Sequence, residues 1–544
     1  MKKLLGALLA TIATPALAAT PATVPPPTPK LIVAVSVDQF SADLFSEYRQ
    51  YYTGGLKTLT QGVVFPSGYQ SHAATETCPG HSTILTGAHP AKTGIIANDW
   101  MDLSVARADK TIYCSEDETV PGSSSDHYTV SPVHLLMPTL GDRMKAANPA
   151  SRVVSVAGKD RAALMMGGHN ADQMWWWDKD HFASFVGKAQ TPAVKAANAR
   201  IAAQLARAGK PYVLPPICQT RVSAVPVSPN KAVGVPIPAR KAGDKGAWRV
   251  SPEYDQSTID LASALVDEMK LGRGEAPDVL SIGLSATDAV GHTFGTEGPE
   301  SCGQVMLVDQ ILGTFFTKLN AAKIPYVVVL TADHGGHDLP ERNRIHGLPS
   351  DMRVDPDKAP KVVDAAITQA LKLDGVTVYG GGSFGDFYIS KGLSDRDRKR
   401  AIEATKTRLS ADPQVGAVFT AEDFVGYKPT TMPVTEWSLL DRAAASYHPG
   451  RSGDLIVLLK PNVTPIPDPA RGSVATHGSP WDYDRRVPIL FWWPNAHGFE
   501  QPNPIETVDI LPTLAALIGL PVTTPEIDGR CLDLDASAAD SCKR

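Results

Sequence analysis

Beyond its first twenty positions the 544-residue chain has no apolar run approaching 18 residues, so it offers no membrane span or anchor. Positive charge is not in surplus. Its 52 cationic and 57 acidic side chains give −5, which leaves no basic footprint for nucleic acid. Cysteine is scarce and never spaced C-x-x-C, which argues against a cysteine-bound zinc. Internal repeats and low-complexity tracts are absent. What remains is a globular composition, 43% apolar, in a chain too long for one small core. One large domain with insertions, or two domains, is expected.

The N-terminus carries the pattern of a secretory leader. Lys2-Lys3 form a positive start, Leu4 to Ile12 an apolar stretch, and Ala16-Leu17-Ala18 a small-residue cleavage site. Residues 1–18 are therefore expected to be removed, placing the protein in the periplasm or outside the cell. Loss of Lys2 and Lys3 takes the charge to −7. Residues 19–29 are Pro-rich and read as an extended linker. The six cysteines, Cys78, Cys114, Cys218, Cys302, Cys531 and Cys542, suit an oxidising compartment, and Cys531 with Cys542 is the one pair that looks locally forced.

From residue 30 to about 530, strand and helix patterns alternate. This predicts an α/β fold: a central, mostly parallel sheet with helices on both faces. Helices are expected at Ala42 to Tyr52, Met137 to Ala147, Gln304 to Ala322 and Thr507 to Ile518, the last capped by Gly519. Strands are expected at 152–157, 454–459 and 487–493. Two segments break the rhythm, at about 178–254 and 351–451, and read as insertions that roof a site, the second as a small α+β cap. Residues 531–544 form a tail.

Three apolar strand patterns end on aspartates. Leu31-Ile-Val-Ala-Val-Ser-Val leads into Asp38, and Val327-Val-Val-Leu-Thr-Ala into Asp333-His334. Val279-Leu-Ser-Ile-Gly-Leu is followed, three residues on, by Asp288 and then His292. Ligands gather at the carboxyl ends of strands in open α/β sheets, so these five side chains should converge. Mixed carboxylate and imidazole donors suit zinc, and paired metals suit displacement at phosphorus. Taken alone, each aspartate would more often be a cap or turn residue.

Between the first two of these sits Thr75-Glu76-Thr77-Cys78-Pro79-Gly80-His81. Pro79-Gly80 suits entry into a helix, which puts Thr77 at a helix N-terminus where anions are favoured. Thr77 in isolation would merely cap that helix. Asp38, Thr77-Cys-Pro-Gly-His81, Asp288-x-x-x-His292, Asp333-His334 and Thr476-His477-Gly478 together resemble the alkaline phosphatase superfamily. The likeness is greatest to its phosphate-irrepressible bacterial branch with a threonine nucleophile, and it spans residues 31–520.

That resemblance implies two Zn²⁺: one held by Asp38, Asp333 and His334 with Thr77 touching it, the other by Asp288, His292 and His477. His477 carries the least sequence signal; His337, His346 and His448 are rivals that only the resemblance disfavours. It also matches Asn98, in Ile95-Ile96-Ala97-Asn98, to a donor for a phosphoryl oxygen. Lys159-Asp160-Arg161 follows a strand in alternating positions, so both cations should point one way and bind the extra oxygen of a monoester dianion. Threonine-nucleophile diesterases lack that pair. Sulfatases need C-x-P-S-R, which Cys78-Pro-Gly-His is not. A third metal, as in serine alkaline phosphatases, has no matching ligand set, and Lys159 would fill its space.

Weaker signals have plainer readings. Gly380-x-Gly382-x-x-Gly385 precedes a strand pattern and not a helix, so a hairpin turn is expected instead of a dinucleotide site. Trp175-Trp176-Trp177 could stack a leaving group, but packing explains it equally well. The expected function is a secreted, monomeric di-zinc alkaline phosphatase acting on small-molecule phosphate esters through a phosphothreonine, with weaker diesterase activity. A phosphodiesterase or nucleotide pyrophosphatase with the same metals is the alternative. A non-catalytic periplasmic phosphate-binding protein is the remote one.

Overall fold

Leu31–Val37 pairs in parallel with Asp278–Leu284 on one side and Tyr326–Thr331 on the other. Every residue of these three strands is buried, so both faces of the sheet are covered, as a parallel sheet requires. The computed structural model describes residues 26–543 except 497, 524 and 538. The expected leader, and the linker up to residue 25, lie outside the described residues.

Nine strands form the main sheet, in the order Ile505–Glu506, Val63–Tyr69, Arg486–Trp492, Tyr326–Thr331, Leu31–Val37, Asp278–Leu284, Val153–Ala157, Gln173–Asp178, His181–Ala183. The five from Tyr326–Thr331 to Gln173–Asp178 are mutually parallel, while Arg486–Trp492 runs antiparallel to both its neighbours. The α/β expectation with a mostly parallel sheet therefore holds. The long helix starts at Pro299, five residues before the apolar periodicity, because proline at its first position fits a helix start. The last helix is Ile510–Leu517, preceded by a 3₁₀ turn at Thr507–Asp509, and Gly519 adopts the left-handed conformation, φ +65°, that glycine tolerates.

One strand belongs elsewhere. Leu455–Leu459, expected in the main sheet, lies between Gly385–Ile389 and Val415–Thr420 in a separate four-stranded antiparallel sheet. It is buried throughout, so its residue pattern cannot be told from that of a core strand. Helices Pro360–Leu371 and Asp395–Ser410 contribute Val363, Ile367, Ala401 and Leu409 to the core of this cap. Gly380 to Gly385 is the turn of its hairpin. The first insertion holds the helix Pro192–Leu205 and the hairpin Val225–Ser228/Lys231–Val233, which packs on Val474 and Ala475 just before His477. Cys218–Cys302 ties it to the long helix, and Cys78–Cys114 and Cys531–Cys542 are the other disulfides. Trp175, Trp176 and Trp177 are buried, and Trp177 stacks on Trp248.

Candidate active site

Asp38, Asp288 and Asp333 emerge at the carboxyl ends of the three adjacent strands, as the sheet requires. Two backbone amides, from Gln39 and His334, donate to Asp333 Oδ1, which leaves Oδ2 facing the site with no hydrogen-bond donor. Asp288 and His292 sit one turn apart on the helix Ala286–Phe294, with Nε2 3.2 Å from Asp288 Oδ1. His477 Nε2 lies 3.4 Å from the same oxygen. Asp288, His292 and His477 thus place ligand atoms within 4.8 Å of one another.

A second such group is Asp38, Asp333 and His81, where His334 was expected. His81 Nε2 is 3.4 Å from Asp38 Oδ1, while His334 Nε2 is 3.2 Å from Asp333 Oδ2. Both imidazoles border the pair, and His334 also stacks on His477 with ring centroids 3.5 Å apart.

The donor chemistry fits metal ions. Nδ1 of His81, His292, His334 and His477 lies 2.8–2.9 Å from the carbonyl oxygens of Thr77, Ala475, Gly335 and Thr75. A carbonyl can only accept, so each Nδ1 carries the proton. In a neutral ring that leaves an Nε2 lone pair facing a carboxylate oxygen, an arrangement that needs a cation or a proton between them. Burial opposes charge on His334, but Asp333 outweighs it and pushes the ring up to about 9. Burial and the neighbouring His334 push His477 down to about 4. Burial would raise Asp288, yet His292 and Lys159 hold it well below the carboxylate range.

Thr77 opens the helix Thr77–Ile84 and is buried. Lys159 Nζ lies 3.5 Å from Thr77 Oγ1, 2.6 Å from Asp288 Oδ2 and 2.9 Å from Asp38 Oδ2, bridging the two carboxylate groups. Asn98 accepts the Cys78 amide through Oδ1, and its own amide donates to Glu76 Oε2. With Oδ1 turned to the helix, the Asn98 NH₂ remains as a donor. Arg161 Nη1 donates to Tyr113 Oη at 3.2 Å, and Asp160 accepts from Tyr113 and Tyr128.

The strand-alternation reading of Lys159 and Arg161 does not survive. The strand stops at Ala157, Lys159 is the N-cap of the helix Asp160–Gly167, and Arg161 stands in its first turn. Of the rival histidines, His337 pairs with Asp351 at 3.0 Å, His346 is exposed, and His448 Nδ1 accepts the Gly450 amide. Sequence reasoning assigned no role to His81, although its position one turn after Thr77 in the same motif is a signal. It also missed Asp255, which accepts the Ser285 and Ala286 amides and Gln304, capping the helix that carries Asp288 and His292. No local pattern marks that residue.

The sequence profile of the type I phosphodiesterase/nucleotide pyrophosphatase family matches residues 32–480. The chain belongs to that family. Among its relatives is the alkaline phosphatase PhoK of a Sphingomonas species, 58% identical over 518 residues, covering 94% of this chain and 92% of that protein. The crystal structure of alkaline phosphatase PafA matches with a TM-score of 0.79 at 26% identity, covering 94% of this chain and 99% of that one. A PafA variant substituted at a threonine, an asparagine, a lysine and an arginine matches with the same TM-score and coverage at 25% identity.

Proposed function

We propose that this family member is a secreted alkaline phosphatase, hydrolysing small-molecule phosphate monoesters with Thr77 as nucleophile. The observation that carries the reading is buried Lys159, 3.5 Å from Thr77 Oγ1 and ion-paired with Asp38 and Asp288, one carboxylate from each of the two carboxylate–imidazole groups. The names of the related PhoK and PafA support it, as does the occurrence of threonine, asparagine, lysine and arginine, in that chain order, among the PafA substitutions.

Asp38, Asp333 and His334 with Thr77, and Asp288, His292 and His477, would each hold one zinc; His81 borders the first set. Bound there, the two ions would lower the proton affinity of a hydroxyl or water and neutralise charge developing on oxygen. Thr77 Oγ loses its proton and attacks phosphorus in line; the P–O bond to the alcohol breaks, and the alcohol takes up a proton. Water then attacks the phosphothreonine, releasing phosphate and returning Thr77. Asn98, Lys159 and Arg161 hold the remaining phosphoryl oxygens, where charge is spread in the transition state. Lys159 gives the monoester reading its support, since a dianion has one more free oxygen than a diester. Rates on p-nitrophenyl phosphate and bis-p-nitrophenyl phosphate test this. Preference for the diester would transfer the assignment to phosphodiesterase.

A further inference from the structure

A cavity of about 400 Å³ separates the cap sheet from the residues that flank Thr77, Asn98 and His477. Glu76 and Gly478 line one side; Phe384 and Asp386, from the cap hairpin, line the other. A Cβ on Gly478 would lie 3.3 Å from Phe384 Cζ and 3.6 Å from Glu76 Cγ, so the phenyl ring sits over the loop that presents His477. Trp100 and Tyr388 complete an aromatic wall.

The charge of the cavity is one-sided. Glu76, Asp99 and Asp386 line it, and no lysine or arginine does. Asp386 Oδ1 accepts the Gly453 amide at 2.6 Å, and its other oxygen has no protein donor among the described residues. Burial, reinforced by Glu76, pushes the Asp386 carboxyl up to about 7. Arg451 stacks on Trp100 but donates to the carbonyls of Gly94 and His134. The charge of Arg161, which does not line the cavity, also favours the ionised forms of Glu76 and Asp99. Carboxylates and aromatic faces in one small cavity attract a desolvated organic cation and repel an anion.

We propose that this cavity is the leaving-group subsite and selects phosphate monoesters of short amino alcohols, whose primary or quaternary ammonium seats between Asp386, Asp99 and the Phe384 and Trp100 rings. The proposal rests on the monoesterase reading given above. The test compares kcat/KM for phosphocholine with that for 3,3-dimethylbutyl phosphate, its uncharged isostere, at low ionic strength. The parent protein should favour phosphocholine at least tenfold, and Asp386→Asn and Asp99→Asn should each narrow the ratio about threefold or more. The ammonium makes its alcohol a somewhat better leaving group, so dependence on the two carboxylates is the decisive readout. A ratio near one, or one that neither substitution moves, overturns the subsite while leaving phosphatase activity standing. Asp99 is exposed, so its variant carries the comparison if the Asp386 variant misfolds. Failure to hydrolyse p-nitrophenyl phosphate overturns the underlying reading instead. Calorimetric titration with choline then decides the cavity alone, and absence of binding overturns it.

Discussion

The side-chain oxygen of Asn98 accepts the Cys78 amide at 2.8 Å, tying the residue after Thr77 to the loop before the hairpin Asp99–Met101/Thr111–Tyr113. The Cys114 amide donates to Asn98 O, and Cys78–Cys114 closes the same loop covalently. Closing a 36-residue separation stabilises by about 4 kcal/mol on loop entropy. Misplacement of a reacting group by about 1 Å can cost about a hundredfold. Reduction, or Cys78→Ser with Cys114→Ser, should therefore lower kcat about ten- to a hundredfold below the unfolding temperature. Unchanged kcat in a variant that only melts earlier would limit the disulfide to stability.

Thr77→Ala should cost several orders of magnitude in turnover with fold and metal content retained, whereas Thr77→Ser should keep much more. Acid quench during turnover should trap phosphate on Thr77. Label on Ser82 or Thr83 would move the nucleophile.

Arg161→Ala should damage monoester hydrolysis far more than diester hydrolysis, and Lys159→Ala likewise. Charge-assisted hydrogen bonds contribute about 1.5–3 kcal/mol each, roughly ten- to a hundredfold in rate. Losing both should narrow the monoester preference by about two to four orders of magnitude if the losses add. Lys159 also bridges Asp38 and Asp288, so metal content must be measured beside its rates. Equal losses on both substrates would remove the main support for a monoesterase.

Chelation should abolish activity, and zinc should restore it better than magnesium, because the proposed donors mix imidazole with carboxylate. Full turnover after exhaustive treatment with EDTA would sink the two-metal site.

Acid stability has a separate handle. Burial opposes ionisation of Asp142, but donors from His169, Thr139 and Asn170 outweigh it and pull the carboxyl down to about 2. The folded state therefore holds fewer protons than the unfolded chain between about 2 and 4. That contribution is complete above this window and vanishes as pH falls through it. Asp142→Asn, which weakens the cap of the helix Leu140–Ala147, should cost about 1 kcal/mol at pH 7, and the gap should close towards pH 2. Urea midpoints at both pH values check the sign.

Strand-end aspartates were legible because a strand-end position needs only a local apolar run and the topology of parallel sheets to be interpreted. Lys159 and Arg161 were identified as candidates by a mistaken geometry: a strand-to-helix turn of this kind has no hydrophobic period to reveal it. Leu455–Leu459 was assigned to the main sheet because burial on both faces looks alike in either sheet. Asp255 was invisible, since its partners, the Ser285 and Ala286 amides, are main-chain groups distant in sequence.

The antiparallel strand Arg486–Trp492 sits inside the main sheet, between Val63–Tyr69 and Tyr326–Thr331. During synthesis Asp38 emerges more than 400 residues before His477, which itself comes just before that strand. The second proposed metal set therefore cannot be complete on a nascent fragment that ends before His477, and sheet closure depends on contacts between distant parts of the chain, which form slowly. Onset of activity on refolding would then mark insertion of the last long strand, and N-terminal fragments that end before His477 should be silent.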